Sequence, residues 1–368
     1  MHRPTLTVLT PTYNRASFLK ETIDSVLSQD FQDFEYIVID DGSQDDTASV
    51  VEPYGSRIQF IRQDNVGETR TVNRGYQMAR GDFITIVNSD DPLLPGAFDR
   101  VISALQAEPE ALCAYPDWMV IDTESKRLSD IRLIAYDLES LFRHGFVSIG
   151  PGLIYRRQML ELVGYRNPQI RYAADLDLIF RTALISPLVH VPEVLATHRV
   201  HPESGLVAAL GSRFARETAF VTESNARHPL MPQRMRRIKS LADAHAFFAA
   251  MFTCRSRTEA ARYLARGLIS HPIAMLDRLS KHGFGASADQ FEALIGVNRP
   301  GGAEMFLRAL SAPSRMAARR ALVRGILCDP ASMLRFSEDY GARKLIAHVR
   351  GLPVYTASGS SRGERREP

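Results

Sequence analysis

The chain is poor in the features that fix a protein class at sight. No apolar run approaches the roughly 20 residues needed to cross a bilayer, and the opening Met-His-Arg-Pro-Thr lacks the apolar stretch of a secretory leader. Both absences set the expectation of a cytosolic protein. Only three cysteines occur, Cys113, Cys254 and Cys328, far apart and without zinc-ligand spacing. Their number and spacing speak against a disulfide framework or a zinc site and predict reduced core residues. No Gly-x-Gly-x-x-Gly follows the first apolar strand, which argues against a dinucleotide-dependent oxidoreductase. The loop after that strand, residues 10–15, has no glycine, whereas an enzyme that forms sugar nucleotides wants a glycine-rich, basic loop there.

What is present is a long chain with uneven charge. With 368 residues and 45% hydrophobic content it can build a large core and more than one domain. The formal net charge of +3 conceals a division. Residues 1–205 carry 19 Lys and Arg against 29 Asp and Glu, a net of −10, and residues 206–368 carry 26 against 13, a net of +13. An acidic half suits a metal site; a basic half suits an anionic surface such as membrane lipid, although solvated helix faces give the same count.

The first half alternates strand and helix. Residues 5–10 read as a strand, Ser17 as the cap of a helix with Leu19, Ile23, Val26 and Leu27 on one face, and residues 34–39 as a second strand. A third strand over 58–61, a helix over 67–79 and a strand over 83–87 follow, and the alternation predicts a doubly wound, parallel sheet. Polar residues collect where strands end: Asp40-Asp41-Gly42-Ser43 after the second, Asp90-Asp91-Pro92 after the fourth. Open α/β sheets bind ligands beyond the carboxyl ends of their strands. Two adjacent carboxylates there repel each other unless a cation lies between them, so a divalent ion holding a substrate diphosphate is expected.

Six short words in order, Thr10-Pro-Thr-Tyr-Asn-Arg15, Ser25-Val-Leu-Ser-Gln29, Ile39-Asp-Asp-Gly-Ser43, Asn65-Val-Gly67 with Asn73-Arg-Gly75, Ala79-Arg-Gly-Asp82 and Asn88-Ser-Asp-Asp91, resemble glycosyltransferase family 2. The resemblance covers residues 5 to about 205. It implies the GT-A fold, a Rossmann-like, mostly parallel central sheet flanked by helices, and an inverting enzyme that uses a nucleotide-sugar donor with Mn2+ or Mg2+. By the same resemblance Thr10, Pro11 and Tyr13 line the base pocket, and Arg15 and Asn73 contact the nucleotide. Asp41 then accepts a hydrogen bond from the base, Asp91 ligates the metal, and Asp90 lies on the ribose or behind the metal's direct ligands. A carboxylate at the base favours uracil, thymine or guanine, whose ring N–H can donate, over adenine. The helix Ala173-Ala-Asp-Leu-Asp-Leu-Ile-Phe-Arg181 resembles the family's Glu-Asp-x-Asp-Leu-x-x-Arg, which makes Asp175 the catalytic base. Asp177, two residues on, points to a different face of the helix and is expected to have a structural role or to support the site from behind. Ala174 replaces the glutamate, removing a neighbour that could tune the base or contact the acceptor. Arg199, His201 and Ser204 match a loop that closes near the diphosphate. The rival reading is a non-catalytic nucleotide-sugar or carbohydrate-binding module on the same fold, for which Ala174 is the support.

Beyond Gly205 the pattern turns helical. Residues 261–276 align with 319–334 at one constant offset, with Leu264/Leu322, Gly267/Gly325, Pro272/Pro330 and Leu276/Leu334 paired, and the two resemble helical-hairpin repeats. The expected organisation is a GT-A catalytic domain over 1–210, an all-α region over 211–352 and a disordered tail over 353–368. The expected partners are a nucleotide-sugar donor and a glycan or lipid-linked acceptor of a cell-surface polysaccharide, not nucleic acid. Peripheral membrane association would run through the basic helices.

Overall fold

The computed structural model describes residues 2–144, 149–201 and 212–233, together with 262, 263, 266, 267 and 271. The chain divides into two compact units, 1–253 and 254–368. Most of the paired repeats, most of the all-α region expected over 211–352 and the tail over 353–368 lie outside the described residues.

Eight strands of the described residues join in one sheet. They are β1 (Leu6–Thr12), β2 (Phe34–Asp40), β3 (Gln59–Arg62), β4 (Phe83–Ile86), β5 (Cys113–Ile121), β6 (Arg127–Ile131), β7 (Ile154–Arg156) and β8 (Leu188–Arg199). The order β3-β2-β1-β4 is parallel throughout, as the alternation predicts. Antiparallel pairing enters with β7, which lies between β4 and β5. One edge of β5 is shared in succession by β7, at Cys113 and Ala114, and β6, at Trp118 to Ile121, while β8 runs parallel along the other edge. Mixed pairing of this kind is the GT-A arrangement.

The two-residue period of β1 and β2 sorts the core onto both faces. Leu6, Val8, Tyr36 and Val38 face α1 (Ala16–Leu27) and α4 (Ala97–Ala107), packing on Leu19, Ile23, Val26, Phe98 and Val101. Leu9, Ile37 and Ile39 share the opposite core with α3 (Glu68–Met78) and α7 (Ala174–Ala183), through Val72, Tyr76, Leu176, Ile179 and Phe180. Shorter helices complete the layers: α2 (Thr47–Val51), α5 (Leu138–His144) and α6 (Gln158–Leu162). Buried on both faces, the strands read as nearly continuous apolar runs. Cys113 is part of that core, and burial pushes its thiol up to about 12.

Two local expectations differ from the structure. Helix α1 has no side-chain cap of its own and starts one residue before Ser17; Asp45 Oδ2, from the loop after β2, takes the Ala16 N–H at 2.9 Å. The stretch 122–129, whose polar sequence by itself marks no strand, turns back as the β5–β6 hairpin, with Asp122 Oδ1 accepting the N–H groups of Glu124 and Lys126. The helix α8 (Ser212–Ala226) packs on α7, and its Val221 joins the core. The division of the chain into units thus falls well past residue 210.

Candidate active site

The loops beyond β1, β2 and β3 are sewn together by their own side chains. Asn14, at φ 52°, donates its N–H to Ser43 Oγ at 2.9 Å and accepts from the Gln44 N–H at 2.8 Å. Gly42 sits at φ +84°, and a Cβ there would lie 2.9 Å from the Asn65 nitrogen, so only glycine lets the loop after β2 lie against the loop after β3. Asp41 fixes the same seam. Its carboxylate accepts from Gln63 Nε2 at 2.8 Å, the Val66 N–H at 2.9 Å and the Gly67 N–H at 2.8 Å, at the start of α3.

Asp90 and Asp91, just past β4, divide their work. Asp91 is 4% exposed; its Oδ1 accepts the Arg199 N–H at 2.8 Å and its Oδ2 accepts Asn88 Nδ2 at 2.9 Å, with His198 Nδ1 at 3.4 Å. Burial depresses the His198 imidazole, but the Asp91 hydrogen bond and the charges of Asp91 and Asp90 outweigh it and raise the ring above its ordinary value. Asp90 is held differently: His201 Nε2–H donates to its Oδ2 at 2.9 Å and Arg15 Nε stands 3.4 Å away, while no hydrogen bond among the described residues reaches its Oδ1. Burial, then the charge of Asp91, pushes the Asp90 carboxyl above the usual carboxylate range, against the pull of His201 and Arg15.

A second group of charges meets this one from the α3 and α7 side. Asp175 opens α7, with its Oδ1 accepting the Leu176 N–H at 2.7 Å. The turn before α7 is pinned to α3: Asn73 donates to the Arg166 carbonyl at 2.8 Å and accepts the Arg166 N–H at 3.0 Å, and the Thr69 hydroxyl donates to the Ile170 carbonyl at 2.9 Å. Arg166, its side chain 10% exposed, donates from one terminal nitrogen to Glu68 Oε1 at 3.3 Å. Glu68, in the first turn of α3, lies within electrostatic reach of both Asp175 and Asp90. Its carboxyl is raised, first by desolvation and then by those two charges, with Arg166 opposing. Because 61% of its side chain is exposed, the desolvation is that of a cleft wall rather than a core.

A sequence profile described as Glycosyl transferase family 2 matches residues 7–164. The chain carries a glycosyltransferase family 2 domain. An uncharacterized glycosyltransferase of Rickettsia prowazekii is 27% identical over 215 residues, covering 55% of this chain and 65% of that protein, so the chain spans just under two thirds of that relative's length. Among solved structures, Staphylococcus aureus TarS residues 1–349 in complex with UDP-GlcNAc superposes with a TM-score of 0.59 at 16% identity, over 91% of this chain and 92% of that one. The mannosyltransferase PcManGT of Pyrobaculum calidifontis, in complex with GDP-Man and Mn2+, gives a TM-score of 0.53 at 18% identity, over 92% and 88%. Both likenesses show the GT-A fold.

In the glycosyltransferase domain several residues that the sequence assigns to substrate are engaged inside the protein. Thr10 is buried, its hydroxyl 3.0 Å from the Tyr36 hydroxyl, whereas Pro11 is partly buried and Tyr13 is 43% exposed beyond β1. Asn73 is committed to Arg166, as above. Arg199 is fully buried: Nε donates to the Asp90 carbonyl at 3.0 Å, one terminal nitrogen to the Asp122 carbonyl at 2.8 Å and Ser125 Oγ at 3.0 Å, the other to Glu21 Oε2 at 2.6 Å, and Phe18 stacks on the guanidinium. It thus holds the Asp90 backbone rather than facing a diphosphate. His201 is buried against Phe18 and Asp90, and Ser204 lies outside the described residues. Asp177 has the structural role expected of it, accepting from Arg181 Nε at 2.8 Å and from Asn225 Nδ2 of α8 at 3.1 Å. Sequence reasoning missed Glu68 and Arg166; the available signal was a charged residue directly after the helix-opening Gly67 and another directly after the Val163-Gly-Tyr165 turn.

Proposed function

We propose that this chain transfers a glycosyl group from a nucleoside-diphosphate sugar to an acceptor hydroxyl with inversion, UDP being the first choice of nucleotide and dTDP or GDP the alternatives. The observation that carries the reading is Asp90: a carboxylate with one oxygen uncommitted among the described residues, at the carboxyl end of β4, with Arg15 and His201 beside it and the Glu68–Asp175 group within electrostatic reach. Three donors on Asp41 leave its carboxylate about one free acceptor site, enough for the ring N–H of uracil.

Mn2+ or Mg2+ fits at Asp90. Among the described residues no three His, Cys, Asp or Glu side chains converge on one point, so the remaining ligands of a hard cation would be diphosphate oxygens and water, which is how such ions are commonly held. The cation, when bound, stabilises charge on the departing diphosphate. This assignment exchanges the two aspartates relative to the sequence expectation, because both oxygens of Asp91 are already hydrogen-bonded to Arg199 and Asn88. Arg15 would meet a diphosphate oxygen. Asp175 would accept the proton of the acceptor hydroxyl as that oxygen attacks the anomeric carbon from the side opposite the diphosphate, a single displacement that inverts the centre.

The acceptor in this reading is a lipid-linked or cell-surface glycan, approached with the basic second half, net +13 over residues 206–368, against anionic lipid. Absence of sedimentation with anionic vesicles at low salt would remove the membrane part. The enzymatic part is tested by release of nucleoside diphosphate from UDP-, dTDP- and GDP-sugars with Mn2+. One donor should give metal-dependent turnover; Asp175→Asn should keep nucleotide affinity and lose transfer by about 10²- to 10⁴-fold. Silence across the panel, with no metal-dependent nucleotide binding, would overturn the reading.

A further inference from the structure

We propose that Glu68 reads the hydroxyls of the donor sugar and that the sugar this site accepts is uncharged. The inference rests on the proposed glycosyl transfer and names a substrate class for that same site. In any such transfer the sugar occupies the space between the diphosphate and the group that activates the acceptor. Here those ends are Asp90 and Asp175, and Glu68 is a carboxylate that feels both.

Its placement is fixed by geometry independent of charge. Glu68 is the first residue of α3, directly after Gly67, whose N–H is held by Asp41. From the other side the α7 turn is tied to α3 by the Asn73 pair with the Arg166 backbone and by Thr69 to Ile170. That turn is braced in addition by Arg181, which donates to the carbonyls of Val163 at 2.6 Å and Tyr165 at 2.9 Å. The carboxylate therefore stands on two locked elements while its outer part remains exposed. A terminal N–H of Arg166 donates to Glu68 Oε1 at 3.3 Å; no hydrogen bond among the described residues reaches Oε2.

The chemistry follows from these groups. An ionised carboxylate only accepts hydrogen bonds, and sugar hydroxyls are donors it can take, in charge-assisted bonds. A uronate would bring a second carboxylate toward Glu68, Asp175 and Asp90, with Arg166 already engaged by Glu68. Like charges at that range disfavour binding.

The experiment measures Mn2+-supported affinities of the full chain for UDP, UDP-glucose and UDP-glucuronate, and for GDP and GDP-mannose, in the wild type, Glu68→Gln and Glu68→Ala. The expected result is unchanged affinity for the free nucleotide in both variants and about tenfold weaker binding of the neutral nucleotide sugar. Wild type should also prefer UDP-glucose to UDP-glucuronate, with the gap narrowing in Glu68→Gln. A variant that only perturbed folding would weaken nucleotide and nucleotide sugar alike, and that pattern overturns the proposal. So does undiminished binding of the neutral sugar in Glu68→Ala, or a wild-type preference for the glucuronate. Absence of binding by UDP and GDP themselves would remove the underlying glycosyl-transfer reading, and this inference with it.

Discussion

Exchanging one oxygen for one nitrogen separates the two aspartates after β4. In Asp91→Asn the new Nδ2 would face either the Asn88 Nδ2 donor or the Arg199 N–H, setting donor against donor in a site that is 4% exposed. One buried charge-assisted hydrogen bond is lost and one donor is left unsatisfied, about 3 kcal/mol together. For a domain of this size that is a fall of roughly 8 °C in melting temperature. Asp90→Asn has the opposite sign. Burial and the neighbouring Asp91 already disfavour the charge at Asp90, so neutralising it in metal-free protein leaves stability unchanged or raises it. The assay is a thermal melt of each variant in EDTA and again with Mn2+ and UDP. Wild type and Asp91→Asn should both gain on adding metal and nucleotide, Asp91→Asn from a lower start, and Asp90→Asn should gain little. An Asp91→Asn protein that melts like the wild type in EDTA yet no longer responds to Mn2+ would refute the division of roles and return the metal to Asp91.

Removing the buried guanidinium in Arg199→Met strands the Asp90 and Asp122 carbonyls; the Glu21 pair adds little because Glu21 is half exposed, so the loss should be about 3 kcal/mol by urea titration, with nucleotide affinity falling as Asp90 loosens. Gly42→Ala forces a side chain into a left-handed backbone against the Asn65 nitrogen and should cost about 2 kcal/mol and weaken UDP binding, read by calorimetry. Away from the site, burial works against ionisation of Asp117, but hydrogen bonds from His190, the Leu133 N–H and Arg132 prevail and hold its carboxyl below the ordinary range. A depressed folded value means stability that is present above about pH 4 and lost as the pH falls further, so the urea midpoint should drop less between pH 5 and pH 3 in Asp117→Asn than in the wild type.

The strands were legible because runs such as Phe34-Glu-Tyr-Ile-Val-Ile39 are β-branched or aromatic and end in turn residues, so their positions follow from local chemistry. What local chemistry cannot supply is the partner across space. Ser17 looked like the cap of α1, yet Asp45 takes that end from another loop. The polar sequence of β6 hides a strand that exists only because β5 offers it an edge. Asp90 and Asp91 stood out as a pair, but their division depends on which carboxylate meets the Arg199 N–H, a residue 108 positions away. Arg199 itself resembled a ligand-facing arginine, and only its enclosure by Glu21, Asp122, Ser125 and Phe18 shows where its hydrogen bonds go. Glu68 and Arg166 carried no motif; they become visible once α3 and the α7 turn are known to touch.

The seam between α7 and α8 bears on how related proteins could be recombined. Asn225 donates to Asp177, and Glu217 accepts the N–H groups of Arg171 and Tyr172 immediately before the helix that bears Asp175. The matched family region stops at residue 164, ahead of all of these. A chimera joined at that limit, or at residue 205 where the charge changes sign, would graft a foreign helix onto the brace of Asp175. Joined after Met231, it would exchange the basic half and carry the native brace intact.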